Sequence, residues 1–139
     1  MRRGEWNCIL GNAGGSSSSS FSKNPQFYLT LESENPEPVE ITCSLMLDSE
    51  DMRMKYTKNS IGFQIFDVKG ERATDQHKGK IHENHRGYQY MRSVMLECKL
   101  APKKTAYTIV PSTLFANVEA TFSFTLWYKK RDDLVVHFQ

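Results

Sequence analysis

The sequence predicts an all-β protein, a β-sandwich of about eight short strands. Apolar residues recur with a period of two in many short runs, which is typical of strands with one buried face, and helical spacing is rare. Breaks rich in Gly, Pro, Asn and Ser separate these runs. The chain has 139 residues, of which 39% are hydrophobic and 24% charged. This composition and length are typical of one globular domain, which we place at residues 1–139.

The clearest predicted strand begins at Val39, where apolar residues alternate with Glu40, Thr42 and Ser44. In the fourth run the apolar phase changes after Ile65, which predicts a β-bulge. The predicted strands cover residues 6–10, 27–31, 39–47, 61–68, 94–100, 106–110, 122–128 and 134–138.

Three large apolar side chains, those of Met46, Met95 and Trp127, fall on the outward phase of their predicted strands. Contiguous exposed apolar side chains mark interaction surfaces, so these residues are candidates for a docking patch. Two connections are long, residues 11–25 with a run of five serines and residues 69–87 with three histidines. Long loops on a sandwich are either functional or mobile.

The formal net charge of +2 is too small to indicate a nucleic-acid partner, and none is expected. No apolar stretch approaches the length of about 18 residues that a membrane helix needs. Residues 1–6 lack the apolar stretch of a signal peptide. We therefore expect an intracellular protein in the cytoplasm, with the nucleus as the alternative.

The three cysteines do not predict thiol catalysis. Cys8, Cys43 and Cys98 each share the apolar phase of a predicted strand, so they are expected to point into the core, where thiols are poor nucleophiles. No predicted helix begins at any of them to lower the thiol pKa. We therefore predict no catalytic residue in this chain. An odd number of cysteines also argues against a disulfide framework and fits a reducing compartment.

His77, His82 and His85 lie within nine residues, but their spacing matches neither a helix pair nor a zinc finger. The neighbouring Lys and Arg side chains would repel a cation, so a solvated basic loop is the favoured interpretation.

Calcium requires several oxygen ligands that converge on one point. The candidates are Asp48, Glu50 and Asp51, which follow one strand. They lack the paired Asp-x-Asp loops of calcium-dependent membrane-binding sandwiches. We therefore expect no cofactor, with calcium at these three residues as the alternative.

The middle of the chain is basic, because residues 53–104 hold twelve basic and five acidic residues. Basic side chains alternate there with His and Tyr, a composition that can contact anionic phospholipid head groups. The candidates for such an anionic-surface site are Lys78, Lys80, Arg86 and Arg92.

Several motifs of the chain resemble the β-sandwich domain that follows the protease core in calpains, the domain III family. The most specific is Tyr-Thr-Ile-Val-Pro-Ser-Thr, and the matching motifs follow the family's order from residue 6 to residue 128. The motifs are residues 11–15, Phe21, 24–26, 61–63, 107–113, Asn117 and Glu119.

The resemblance implies a C2-like sandwich of eight antiparallel strands in two sheets. The motif residues have architectural explanations. Gly14 and Gly15 permit positive φ in a tight turn that precedes Asn24. Pro25 fixes the entry to the following strand, and Pro111 is expected to end a later strand. None of them supplies a nucleophile, a base or an oxyanion donor. The cysteine protease chemistry that the resemblance implies belongs to a separate core outside this chain.

The chain lacks the dense acidic run of conventional calpains and ends in a predicted strand, so it resembles an atypical calpain. We interpret it as the distal of two tandem sandwich domains at the C-terminus of such a protease. The resemblance implies interdomain docking, protein interaction and regulation of the protease. The expected partners are the protease core and the neighbouring sandwich domain of the same parent chain. The alternative is a membrane-targeting module that binds anionic phospholipid.

Overall fold

The structure is a computed structural model that describes residues 1–17, 19–48 and 60–139. These residues form nine β-strands and a 3-10 turn at Phe21–Lys23, so the all-β prediction is confirmed. No helix in this part of the chain is long and apolar enough to cross a membrane. The strands are β1 (Arg2–Trp6), β2 (Phe27–Glu32), β3 (Val39–Leu47), β4 (Ile61–Phe66), β5 (Lys80–Glu83), β6 (Ser93–Leu100), β7 (Tyr107–Thr113), β8 (Ala120–Tyr128) and β9 (Val135–Phe138).

The strands form two antiparallel sheets that share one core, as the sandwich prediction requires. Sheet A has the strand order β1-β8-β3-β6, and sheet B has the order β5-β4-β7-β2-β9. In β3, alternate side chains point inward, and Ile41, Cys43 and Leu45 are almost completely buried. Phe124 of sheet A meets Phe63 of sheet B edge to face, with ring centroids 5.0 Å apart. The alternation in the sequence therefore identified the side of each sheet that forms the core.

The first strand lies earlier than the predicted strand at residues 6–10. It ends at Trp6 because the side-chain oxygen of Asn7 accepts the backbone N–H of Ile9 at 2.8 Å and turns the chain. The prediction that Cys8 points into the core is therefore wrong, since Cys8 lies in this turn and is exposed.

The strand β5 was not predicted, because it lies in the connection that the sequence indicates as a loop. Its four side chains are half-buried or exposed and show no apolar alternation. β5 pairs with β4, and the register of this pairing shifts between Ile65 and Phe66. The shift lies at the predicted place, but its extra residue, Ile81, is on β5, because Ile65 pairs with His82 and Phe66 with Lys80. β4 itself pairs with β7 in continuous register through Phe66, and its apolar phase changes because both of its faces are buried.

Pro111 lies inside β7, so the prediction that it ends a strand is wrong. A proline is tolerated in a strand where its missing N–H would face no partner strand. β7 pairs with β2 through residues 107–109, and Pro111 lies beyond this pairing. Its carbonyl accepts the indole N–H of Trp6 at 3.1 Å. The Trp6 side chain of sheet A thus donates the hydrogen bond that a neighbouring strand would otherwise supply.

The centre of sheet B is also covered on its outer face, by the chain's two long connections. All seven residues of β7 are buried, including those that point away from the shared core. Val110 packs there with Phe21, Phe66 and Ala73 in a second, smaller apolar cluster. Phe21 comes from the first long connection and Ala73 from the second, so both connections form part of the folded structure.

The outward hydroxyl groups of β7 are hydrogen-bonded to the same covering segments. Thr108 Oγ1 donates to the carbonyl oxygen of Glu71 at 2.7 Å. The hydroxyls of Ser112 and Tyr88 are 2.5 Å apart. Buried hydroxyls need such partners, so the covering segments satisfy the polar side chains of β7 as well as the apolar ones.

Asn24 holds the first connection in place. Its side chain is fully buried, and its Oδ1 accepts the backbone N–H of Gly14 at 3.0 Å. Its Nδ2 donates to the carbonyl oxygens of Gly15 at 2.8 Å and Phe21 at 3.0 Å. Pro25 favours an extended conformation at the preceding residue, and Asn24 has φ −60° and ψ 154°. The Asn-Pro pair therefore closes the loop and directs the chain into β2.

The two glycines of this loop serve different purposes. Gly15 has φ +67°, as predicted for the turn. Gly14 does not have a positive φ, so that part of the prediction is wrong. It is a glycine because a Cβ at this position would lie 2.1 Å from the carbonyl oxygen of Ser20.

We expect Asn24→Ala to lower the free energy of unfolding by about 2–4 kcal/mol, because three buried backbone groups lose their partner. Asn35→Ala is the matched control, since Asn35 is exposed and accepts one backbone N–H, that of Glu37. The control should change stability by less than about 0.5 kcal/mol. Urea unfolding measures both, and equal effects of the two substitutions would contradict this role of Asn24.

Candidate docking surfaces

The outer face of sheet A carries no covering segment among the described residues, in contrast to that of sheet B. Met46, Met95 and Trp127 are 45–52% exposed on this face, as their outward phase predicts. We call this surface the open face and define it by Thr42, Ser44, Met46, Met95, Thr125 and Trp127.

The centre of the open face is flat because its middle positions carry small side chains. Ser44 of β3 lies opposite Met95 of β6 and Thr125 of β8. Thr42 lies opposite Trp127. Small hydroxyl side chains between larger apolar ones allow another flat surface to approach closely.

A depression of about 320 Å³ adjoins one side of the open face. Its lining includes Met46, Arg3, Arg92 and Ser123. At the opposite end, Glu40 lies across from Lys99, and the backbone N–H of Lys129 donates to the carbonyl of Glu40 at 3.2 Å. Apolar and charged groups are thus arranged as in a protein interface, with charges at the rim.

The four basic candidates for an anionic-surface site lie in two places. Lys80 lies on β5 opposite Phe66 and forms an ion pair with Glu83 at 3.3 Å. Lys78 lines a depression together with two further basic residues, Lys69 and Arg72, and two carboxylates, those of Asp67 and Glu71.

The other two basic candidates, Arg86 and Arg92, are exposed at the opposite end of the sandwich, next to the start of β6. The N–H of Leu47 at the end of β3 donates to the carbonyl of Arg92 at 2.9 Å. The fold therefore separates Arg86 and Arg92 from Lys78 and Lys80.

Of the calcium candidates, Asp48 follows β3 directly, while Glu50 and Asp51 lie outside the described residues. The Oδ2 of Asp48 lies 3.5 Å from the hydroxyl of Thr121. Within residues 1–17, 19–48 and 60–139, no three His, Cys, Asp or Glu side chains are grouped so that they could hold a metal ion. The calcium alternative stays a prediction.

The histidines of the second connection occupy different elements. His82 lies on β5, whereas the backbone N–H of His77 donates to the carboxylate of Asp75. His85 lies at the edge of sheet A, where its Nε2 accepts the backbone N–H of Glu97 at 3.2 Å. This nitrogen is engaged in capping an edge strand.

The environments of the two strand cysteines suit core packing. Burial raises the pKa of the Cys43 thiol far above its usual value, and the nearby Cys98 raises it further. Burial also raises the pKa of Cys98 to about 11. Both groups are therefore protonated at neutral pH and are poor nucleophiles.

Sequence reasoning missed a further group of exposed apolar residues on loops. Ile9 and Leu10 were assigned to a strand, but they lie in the turn that Asn7 forms. Phe115 lies between β7 and β8, and Tyr90 and Met91 precede β6. The polar Asn and Gly residues around Ile9 were the available signal for the turn.

In this two-sheet sandwich the strand cysteines are protonated and are buried or half-buried. The polar motif residues form hydrogen bonds within the loops. The features are those of an architectural module. The family described as calpain large subunit, domain III, matches residues 2–127. The chain therefore belongs to the calpain domain III family. Domain III is a non-catalytic domain of calpain proteases. No curated protein matches the chain.

We expect one fast-reacting thiol per folded chain with Ellman's reagent at pH 8, that of exposed Cys8. Cys43 and Cys98 should react slowly, because their raised pKa values leave little thiolate at this pH, and they should react fully after denaturation. Cys8→Ser should remove the fast phase. A fast phase that persists in this variant would show that a strand thiol is reactive after all.

Proposed function

We propose that this chain is a docking module of an atypical calpain of the calpain 7 type, in which it is the distal of two tandem sandwich domains. Its open face binds the neighbouring domains of the same parent chain, namely the adjacent sandwich domain and the protease core. By fixing their positions it regulates the protease. The chain itself supplies no catalytic residue to the intracellular cysteine protease.

The observation that carries this proposal is the difference between the two sheets. The central strands of sheet B, β4 and β7, are buried on both faces by their own chain, whereas Met46, Met95 and Trp127 remain half-exposed on sheet A. Exposed apolar side chains that share one face of a sheet are typical of a surface that a partner covers.

The amount of apolar surface suits a partner in the same chain. Covering three half-exposed side chains contributes roughly 2–4 kcal/mol. This is weak for two separate proteins, because association costs translational and rotational freedom. Domains joined by a linker have effective concentrations on the order of millimolar, so the same contacts suffice to hold them together.

The phospholipid alternative, in the form based on Lys78 and Lys80, has less support. Lys80 is paired with Glu83, and the depression that Lys78 lines with Lys69 and Arg72 also holds Asp67 and Glu71, so the local charges cancel in part.

The proposal is tested by NMR titration of the 139-residue chain with the remainder of its parent, since this method detects millimolar binding. Met46→Ser combined with Met95→Ser and Trp127→Ser should weaken binding about tenfold or more, because the apolar contacts are lost.

Ile81→Ser combined with Val135→Ser is the matched control. These two side chains are similarly exposed but lie on the edge strands of sheet B, so their replacement should leave binding unchanged. Equal weakening by both sets, or by neither, would count against docking through the open face.

A further inference from the structure

We propose that strand β9 pairs with β9 of a second copy of this chain, antiparallel and about a two-fold axis at Val136. The two copies of sheet B, each of five strands, then form one continuous sheet. The proposal is independent of docking through the open face, because β9 is an edge strand of sheet B and the open face belongs to sheet A.

The described residues form four edge strands, namely β1 and β6 in sheet A and β5 and β9 in sheet B. The outer backbone groups of an edge strand can pair with a strand of another molecule, so natural proteins usually block them. β5 is blocked by its shape and charge. It is only four residues long, its register is shifted, and Lys80 and Glu83 form an ion pair on it.

The edge of β1 is blocked by the side-chain amide of Asn12. Its Nδ2 donates to the carbonyl oxygen of Glu5 at 2.9 Å, and its Oδ1 accepts the backbone N–H of Asn7 at 2.7 Å. A peptide group of a neighbouring strand would make the same two kinds of bond. The amide therefore takes the place of a pairing strand at the end of β1.

His85 blocks the edge of β6 in a similar way. Its backbone N–H donates to the carbonyl oxygen of Met95 at 2.9 Å, and its Nε2 accepts the backbone N–H of Glu97 at 3.2 Å. Both edge strands of sheet A thus have hydrogen-bond partners from their own chain on the side where another strand would add.

β9 has none of these protections among the described residues. Its residues, Val135–Phe138, include no Pro, Lys, Arg, Asp or Glu, and they pair with β2 in continuous register. Val135 is 51% exposed. A regular, uncharged edge strand is a template for the addition of another strand.

The pairing of β9 with β2 fixes the direction of its backbone groups. Tyr28 and Gln139 exchange both of their backbone hydrogen bonds, at 2.9 and 3.0 Å. Hydrogen-bonded pairs alternate in an antiparallel ladder, so the N–H and C=O groups of Val136 and Phe138 point away from β2. Of these groups, the carbonyl of Phe138 has a partner in the described residues. It accepts Arg2 Nε at 3.1 Å and Nη2 at 2.5 Å.

A two-fold axis at Val136 uses the groups that are left. The N–H of each Val136 donates to the carbonyl of Val136 in the other copy. The N–H of each Phe138 faces Leu134 of the other copy, whose carbonyl has no partner among the described residues. The N–H of Leu134 donates within its own turn, to the carbonyl of Arg131 at 3.2 Å. The two groups that this register leaves over, the Phe138 carbonyl and the Leu134 N–H, are therefore those already bonded within each chain.

The side chains of β9 also suit pairing with a second copy. In this register Val135 faces His137 of the other copy on the outer side of the sheet, where both are exposed. Val136 faces Val136 on the inner side, next to the core. Residues 134–139 carry no formal charge, so no like charges oppose each other. The two Arg2 side chains lie about 13 Å apart along the strands, which is beyond the Debye length at physiological salt.

The contact is small, because only about five residues of each copy pair. It buries less surface than the roughly 1,600 Å² of a standard stable interface, so we expect weak association, with a Kd on the order of 0.1–1 mM. Such an association becomes effective when other contacts hold two parent chains close together.

Sedimentation equilibrium of the 139-residue chain, from about 0.02 to 1 mM, tests the pairing. We expect a reversible monomer–dimer equilibrium. Val135→Lys combined with His137→Lys should weaken dimerisation at least about tenfold, because each lysine faces a lysine of the other copy. Val135→Glu combined with His137→Glu should weaken it to a similar extent for the same reason.

A mixture of the two double variants tests the register. The lysines of one chain then face the glutamates of the other, so the mixture should form heterodimers at least as tightly as the wild-type chain forms dimers. A mixture that stays monomeric while the wild-type chain dimerises would overturn the proposal.

The matched control is Ile81→Lys combined with Tyr90→Lys, which adds the same charge at two exposed positions outside β9. It should leave dimerisation unchanged. A wild-type chain that is still monomeric at about 1 mM would overturn the proposal. A dimer that both pairs of lysines weaken equally, or that neither pair weakens, would also overturn it.

Amide hydrogen exchange locates the contact directly. The N–H groups of Val136 and Phe138 should exchange at least about twofold more slowly at the highest concentration than at the lowest. The N–H of Arg3, on the edge strand β1, should exchange at the same rate at both. A dimer in which Val136 and Phe138 exchange as fast as in the monomer would contradict pairing through β9.

Discussion

The burial of β7 on both faces is the constraint on which the rest of the structure depends. A strand in a two-sheet sandwich needs only one buried face, yet all seven residues from Tyr107 to Thr113 are buried. Its outward Thr108 and Val110 therefore need both hydrogen-bond and apolar partners. The two long connections supply them, so segments that would ordinarily be free surface loops are committed to the fold.

Because the two connections cover the centre of sheet B, the molecule has a covered side, which we call sealed, and an open side, the outer face of sheet A. Asn24 and its neighbours lock one connection over sheet B, and Asn84 locks the other. Sheet A has no comparable cover in the described residues. The polar residues that the family motifs contain thus serve architecture. The surfaces left for function are apolar, which fits a non-catalytic domain of the calpain domain III family.

The sequence predicted the features that follow from local periodicity. The period-two alternation in β3 identified its buried and exposed faces, and the phase change after Ile65 marked a strand, β4, that is buried on both faces. It did not predict β5, whose polar residues pair with β4 without a buried face of their own. The same periodicity extended the first strand through Cys8, because Trp6, Cys8 and Leu10 stay in phase and this outweighed the turn signal of Asn7, Gly11 and Asn12. The burial of β7 on both faces depends on tertiary contacts between distant segments, which periodicity does not encode.

The most direct test of the division into sealed and open sides is hydroxyl-radical footprinting of the isolated chain and of the full parent protein. Met46, Met95 and Trp127 react readily when exposed. We expect their oxidation to fall several-fold in the parent, while that of Val135 on sheet B stays unchanged. Equal oxidation of Met46, Met95 and Trp127 in both proteins would contradict the account, because the open face would then have no partner in the parent chain.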